Sequence, residues 1–287
     1  MTHVSARRGA LYVSVAATAW GTGGAAGSLL FESGGLGAVG VSLWRYLLGA
    51  AFLLLLTRRP FVVNGRILLI GAGMAVYQTA YFAAIAHSGV AIATVVTMGA
   101  TPVLTALGSR FLLREPLGRV ALTALATALI GLVLLTGETA LQSRPSSIAG
   151  IGLALLSAAG YAGVTILSRR HGDGDPQGVA IGGLVVGAAC LAPFALVEGV
   201  VPTVSLSSVA LLLYLGAVPT ALAYGLFFRA LTALRATTVS IISLGEAVGA
   251  AVLGVGLFGE RLTPLAWSGC VLLLAAVTVL AVRAESG

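Results

Sequence analysis

The sequence predicts an all-α polytopic membrane protein, ten transmembrane helices laid out as two inverted five-helix repeats. Three observations carry that expectation. The 287 residues are 58% hydrophobic and only 9% charged, with a mean hydropathy of +1.05, whereas a soluble domain carries about 25% charged residues. Water would not keep such a surface dispersed, and lipid is the matching solvent. Second, a duplication runs through the chain at about half its length. Ala91–Gly137 joins an apolar segment containing Pro102, a hinge at Arg114-Glu115-Pro116 and an uncharged run, and the same layout returns at Ala236–Ala281. Glu115 and Glu260 fall 145 positions apart, as do Ala91 and Ala236, and Thr101 and Glu246. Third, the arginines gather at alternate ends of the apolar segments.

Taken in order, Met1–Arg8 is short and basic, and Gly9–Phe31 is too long for a signal-peptide core and lacks a cleavage region, so it reads as a retained first helix. Gly34-Gly35 ends it. Leu36–Leu56 is the second helix, stopped by Arg58-Arg59-Pro60. Between Arg66 and Arg110 there is no charge at all, too long a run for one crossing at about 20 residues each. It divides at His87-Ser88-Gly89 into Ile67–Ala86 and Val90–Leu113, and Val120–Thr136 completes the first half. The polar stretch Glu138–Ser147 separates the halves, giving repeats 1–140 and 141–287. The second half reads as Ile148–Ser168, Gly178–Val197, Val209–Phe228, Ala236–Phe258 and Pro264–Val282. Gly9–Thr22 can be laid over Gly150–Gly163, which sets Trp20 opposite Tyr161. Transmembrane strands are excluded, because these runs are about twice the length a strand needs and show no alternation.

With the N-terminus inside, Arg7, Arg8, Arg58, Arg59, Arg66, Arg110, Arg114, Arg119, Arg169, Arg170, Arg229, Arg235 and Arg283 lie inside and Arg144 and Arg261 outside. Positive charge of this asymmetry orients a bundle in the cytoplasmic (inner) membrane with both termini cytoplasmic. Five helices is an odd number, so the second half enters the membrane with the opposite sense, the arrangement of many secondary transporters. The net charge of +7 therefore serves anchoring, and nucleic acid is not an expected partner.

Polar groups at mid-depth are the candidate site. Tyr77, Gln78 and Tyr81 share a face, deeper than the interfacial aromatic belt, and either line a cavity or pack between helices. Thr94, Thr97, Thr101 and Thr105 form a stripe that suits close packing as well as solute contact. Pro102, between two of them, frees the Met98 carbonyl and is expected to weaken or bend its helix. Arg45 lies half-way along its segment, a costly position unless it pairs, snorkels or meets water. Glu246 is the only acidic residue near the middle of any segment; it either pairs with a cation, with Arg45 as candidate, or carries a proton or a solute cation. Trp20, Tyr161 and Tyr214 complete the candidate set, with Tyr224 beside them; Tyr214 and Tyr224 flank Pro219, read as a flexible point. His87 fits a helix break. Glu115 and Glu260 are expected to accept from helix-start amides. Cys190 and Cys270 fall within apolar runs and read as small core residues. GxxxxGK[ST], HExxH and GxSxG motifs are absent, and the Gly21/Gly23/Gly24 cluster lacks a strand–turn–helix context. Neither an enzyme activity nor a cofactor nor a metal is expected.

Ala19-Trp20-Gly21, Trp44-Arg45-Tyr46, the run at Thr101-Pro102-Val103 and the two hinge glutamates resemble, in order, spacing and duplication, the EamA-like transporters of the drug/metabolite transporter superfamily over about Ala10–Ala281. The resemblance implies an inner-membrane exporter or exchanger of amino acids, other metabolites, nucleotide sugars or toxic compounds. Relatives often carry proline where this chain has Ala247, which weakens the case for a bend there. The expected function is a secondary transporter that exports or exchanges a small organic metabolite, an amino acid or related compound, by alternating access. Its partners would be that solute, a coupling proton or exchanged solute, and the bilayer, with the chain a monomer or weak homodimer. A membrane receptor or assembly protein using the fold without translocation is the alternative; a polyprenyl-lipid or sugar-lipid enzyme is disfavoured by the lack of paired acidic residues in loops.

Orientation is directly testable. Arg8, Arg58, Arg114, Arg169 and Arg283 should face the cytoplasm, and Gln142 and Thr203 the outside. In a background lacking Cys190 and Cys270, an impermeant thiol reagent should reach a cysteine at position 203 in intact cells but not one at 58 or 169; labelling at 58 or 169 would reverse the assignment.

Overall fold

The computed structural model describes residues 4–33, 35–58, 61, 63–142, 147–170, 175–259 and 261–285, and every regular element among them is helical. The helices are α1 (Ala6–Ser33), α2 (Ala38–Thr57), α3 (Gly65–Gly89), α4 (Ile92–Leu112), α5 (Arg119–Gln142), α6 (Ile148–Arg170), α7 (Pro176–Glu198), α8 (Leu206–Ala233), α9 (Ala236–Ser243, continued after Leu244 by Gly245–Phe258) and α10 (Pro264–Glu285). Among the described residues nine of these, α2 to α10, are long and apolar enough to cross a membrane. α1 has the length, 28 residues, and is less apolar because it carries the glycines and threonines of an inward face.

Local chemistry sets the boundaries. The uncharged run between Arg66 and Arg110 turns at Gly89 (φ 78°, ψ 162°), a conformation that glycine adopts without the steric cost borne by other residues. Asn64 opens α3 by accepting from the Ile67 amide, Asp175 opens α7 from Gln177 with Pro176 in its first turn, and Ser205 opens α8 from Ser208. Each supplies an acceptor to amides that have no partner within the helix. α9 ends at Gly259 in the left-handed region.

Several local expectations change. α4 runs through Pro102 without interruption; the neighbouring hydroxyls of Thr101 and Thr105 bond back to the carbonyls of Thr97 and Thr101. Pro219 makes a defined turn instead of a loose point. Having no N–H, it leaves the Leu215 carbonyl without its usual donor, and the Thr220 hydroxyl takes that carbonyl at 2.7 Å. The chain between Ala217 and Leu222 widens into a π turn. Glu115 does not cap α5: its carboxylate pairs with Arg169 of α6 at 3.0 Å. Glu260 lies outside the described residues. α9 is interrupted at Leu244, which keeps right-handed dihedrals, so the missing proline at 247 does not leave the helix unbroken.

The helix packing follows the duplication. α1 packs on α8 and α9, as α6 packs on α3 and α4; α2 packs on α8, as α7 does on α3; α2 meets α7, and α5 meets α10. That is the set of contacts a twofold axis between the halves generates. α1 begins, and α10 ends, at the same end of the bundle as the α4–α5 hinge, while α6 begins at the opposite end, so the repeats are inverted. Outward faces carry exposed Leu55, Leu69, Val133, Leu196 and Val271, the apolar surface that lipid covers.

On the axis the backbones touch. A Cβ at Gly269 would stand 2.5 Å from the Gly131 carbonyl oxygen and 2.5 Å from the Leu135 amide nitrogen, so only glycine permits this α5–α10 approach. Gly269→Leu should force the helices apart and cost about 1–3 kcal/mol, read as a lower unfolding midpoint in detergent. Gly163→Leu, with nothing within 4 Å, should leave the midpoint unchanged.

Candidate functional site

At mid-depth, side chains from both repeats converge. Trp20 (α1) meets Tyr161 (α6) edge-on at 6.4 Å, Tyr224 (α8) at 5.4 Å and Phe227 at 5.3 Å between ring centroids. Tyr77 (α3) lies 5.5 Å from Tyr161. The Tyr77 hydroxyl bonds to the Tyr224 hydroxyl and receives a bond from Tyr46 (α2) at 3.3 Å. Edge-on pairs of this kind add to their apolar burial through ring quadrupoles. Trp20 and Tyr161, set opposite each other by the weak repeat alignment, are in contact across the axis. Tyr77 and Tyr224 form a second such pair: laid over one another, residues 77–86 and 224–233 share Tyr77/Tyr224, Ala83/Ala230 and Ala86/Ala233, with Tyr81 over Phe228.

Glu246 reaches this cluster because α1 and α9 cross backbone to backbone. A Cβ at Gly21 would lie 2.7 Å from the Glu246 carbonyl oxygen and 3.0 Å from the Ala250 amide, which sets Trp20 and Glu246 side by side. The carboxylate feels Arg45, and both Tyr81 and Tyr161 feel it in turn. Among the described residues it has no cation within 4 Å and no hydrogen-bond donor, and it is neither fully buried nor exposed. Of the two readings of Glu246, the ion pair with Arg45 is therefore not formed. Arg45 instead gives its Nε to the Thr220 hydroxyl at 3.2 Å and an Nη to the Pro219 carbonyl at 3.4 Å. The Trp20 indole N–H is buried and has no acceptor among the described residues, and a buried donor left so costs about 1–3 kcal/mol.

The other candidates separate from this group in different ways. Tyr81 donates to or accepts from Thr94 at 2.7 Å, closing α3 onto α4 at the edge of the cluster. Gln78 is buried and turns to α2, donating to Ser42 at 3.0 Å. Thr101 is buried and bonded within its own helix, and Thr97 reaches the Ala154 carbonyl of α6 at 3.2 Å, so the threonine stripe packs. Tyr214 is 37% exposed and donates to Thr22 at 2.6 Å, toward the end of the bundle away from the termini. His87 is exposed just before the Gly89 turn, and Cys190 and Cys270 are free thiols.

The comparisons with known proteins agree with this architecture. The model of the EamA-like transporter family matches residues 7–137 and again 148–282, one match to each half. The chain belongs to the EamA-like transporter family. A protein of Bacillus subtilis (strain 168) described as the uncharacterized transporter YwfM is 29% identical over 277 residues, 94% of this chain and 92% of its own length. A solved structure, described only as the crystal structure of a protein, has the same fold, with a TM-score of 0.85 at 21% identity over 97% of this chain and 98% of that one.

In this EamA-like bundle the two halves also meet at the end carrying the termini. Arg169 of α6 pairs with Glu115 of the α4–α5 hinge and donates to the Leu231 and Thr232 carbonyls of α8 at 3.0 and 3.2 Å. Arg235 donates to the Pro116 carbonyl at 3.2 Å. Sequence reasoning placed these arginines as anchors; their reach between halves depends on the turn geometry of the hinge, which no local pattern encodes.

The Tyr77–Tyr224 contact is testable as a coupled pair. Tyr77→Phe takes the Tyr77 partner from the Tyr224 hydroxyl, and Tyr224→Phe leaves the Tyr77 hydroxyl only its bond from Tyr46. The double variant should therefore be more stable than the sum of the singles by about 0.5–1.5 kcal/mol, measured by unfolding of the four proteins in one detergent. Additive effects would show that the hydroxyls do not depend on each other.

Proposed function

We propose that this protein is a secondary carrier of the cytoplasmic membrane that exports or exchanges a small organic metabolite, an amino acid or related compound, by alternating access. The observation that carries the reading is Glu246: a mid-depth carboxylate with no cation on it, among aromatic rings drawn from both repeats. A protonated amine fits that carboxylate, and the nearby rings add cation–π attraction. The unpartnered Trp20 N–H suits an acceptor on the same molecule, which an amino acid supplies. Tyr77, Tyr161 and Tyr224 then form the wall between the bound solute and the Phe227 side, and Tyr81 its rim.

Alternating access follows from the same arrangement. The three-helix group α3, α4 and α6 is related by the twofold axis to α8, α9 and α1. Arg169, paired with Glu115 inside the first group, ties it to the second at the terminus-bearing end through the Leu231 and Thr232 carbonyls of α8. With the termini cytoplasmic, this is the inward-closed arrangement, and the two groups, each built from both repeats, rock against one another to exchange it for its inverted counterpart. A proton on Glu246, or a second solute, is the species that returns the empty carrier.

Reconstituted vesicles test both the transport and the site. Counterflow of labelled amino acids and amines should be saturable with the wild type. Glu246→Gln should keep monodisperse protein, because no ion pair is lost, while transport falls at least about tenfold and its pH dependence flattens. Loss of folded protein would return Glu246 to a structural role, and a variant with wild-type flux at every pH would remove it from the site. Binding without flux across the whole panel, with gradients applied, would favour a receptor.

A further inference from the structure

The π turn of α8 is seated where three helices meet. A Cβ at Gly49 of α2 would lie 2.5 Å from the Thr220 Cγ2, and one at Gly23 of α1 3.1 Å from the Pro219 Cβ. Both contacts seat side chains of the turn directly on glycines of α2 and α1, which sets its position. Turns of this type are uncommon and recur at functional sites. Here the turn does two things: Thr220 closes it by donating to the Leu215 carbonyl, and the same hydroxyl oxygen accepts from Arg45.

Opposite charges at mid-membrane attract strongly, since little solvent screens them. Arg45 is near enough to Glu246 to act on it, yet its Nε and one Nη are engaged by Thr220 and Pro219. The other groups that face the carboxylate are Tyr81 from α3 and Tyr161 from α6, which are neutral, and the α1 backbone at Gly21. None of these keeps the guanidinium away.

We propose that Thr220, through the π turn it closes, is a positioning residue that holds Arg45 off Glu246 and so keeps the carboxylate open to solute. With the hydroxyl in place the arginine rests on the π turn; without it, Glu246 is the alternative partner. Competition between Arg45 and the solute amine for one carboxylate makes binding sense the shape of α8, the helix that the terminus-end clamp also grips through Leu231 and Thr232. This role rests on the reading of Glu246 as the solute carboxylate, but its test needs no transport.

The probe is dicyclohexylcarbodiimide, an apolar reagent that adds to protonated carboxyl groups, applied to purified protein at pH 7 and read by mass spectrometry of the Glu246 peptide. Thr220→Val keeps the shape of the side chain and deletes the hydroxyl; Arg45 should move to Glu246 and labelling should fall about tenfold. Thr220→Ser should label as wild type, and Thr220→Val combined with Arg45→Gln should recover the labelling. Unchanged labelling in monodisperse Thr220→Val, a Thr220→Ser that behaves like the valine variant, or no recovery on removing Arg45 would each overturn the proposal. Thr220→Ala is the second deletion; if neither it nor Thr220→Val yields folded protein, the hydroxyl only closes the turn and the proposal fails. Absent flux with the expected labelling pattern would sink the transport reading and leave the positioning intact.

Discussion

A carboxylate at the middle of a membrane bundle, with no direct ion pair among the described residues, is the constraint on which the rest of this structure turns. Retaining an acidic residue there costs roughly 2.5–3.5 kcal/mol on insertion scales, and a direct ion pair with Arg45 would recover part of it. The chain forgoes that pair. α1 and α9 approach through Gly21 closely enough to place Glu246 beside Trp20, and the nearby guanidinium is spent on the α8 turn. A carboxyl group without a direct cation and an indole donor without an acceptor, both among the described residues, are the features that a packed core removes.

The duplication accounts for the scaffold around that site and not for the site itself. Trp20/Tyr161 and Tyr77/Tyr224 are equivalent positions that meet on the axis, so the aromatic wall looks nearly the same from either half. The charges break the symmetry. Thr101 occupies the position equivalent to Glu246 and bonds inside its own helix, and the mid-segment arginine, Arg45, lies on α2. The proposed exchange of conformations by an inverted pair of repeats is compatible with this one asymmetric set of charges.

Much of this was legible before any coordinates. Low charge, the 145-residue spacing and the arginine pattern suffice for ten helices in two inverted halves, because in lipid the backbone has few other ways to satisfy its hydrogen bonds. His87-Ser88-Gly89 was identifiable as a break because only glycine accepts that turn cheaply. The clustering of the candidate residues was legible where it follows depth and repeat position, as with Trp20, Tyr77, Tyr161 and Glu246. It was not legible where it depends on the reach of a long side chain or on a helix irregularity. Arg45 sits at the depth of a partner for Glu246, but the π turn at Pro219-Thr220 redirects it, and nothing in a proline–threonine pair specifies that widening. Tyr214 shares a helix with Tyr224, yet the same turn and its distance along α8 leave it on Thr22. Glu115 looked like a cap because its partner, Arg169, is distant in sequence and only the packing of α6 brings it near.

The most direct test of the account is a structure of the protein with a bound solute found by flux or binding. The account predicts density enclosed by Trp20, Tyr77, Tyr161 and Tyr224, with an amine nitrogen about 2.7–2.9 Å from the Glu246 carboxylate and Arg45 still on Thr220. Density elsewhere in the bundle, with Glu246 closed onto Arg45 and untouched by the ligand, would contradict it.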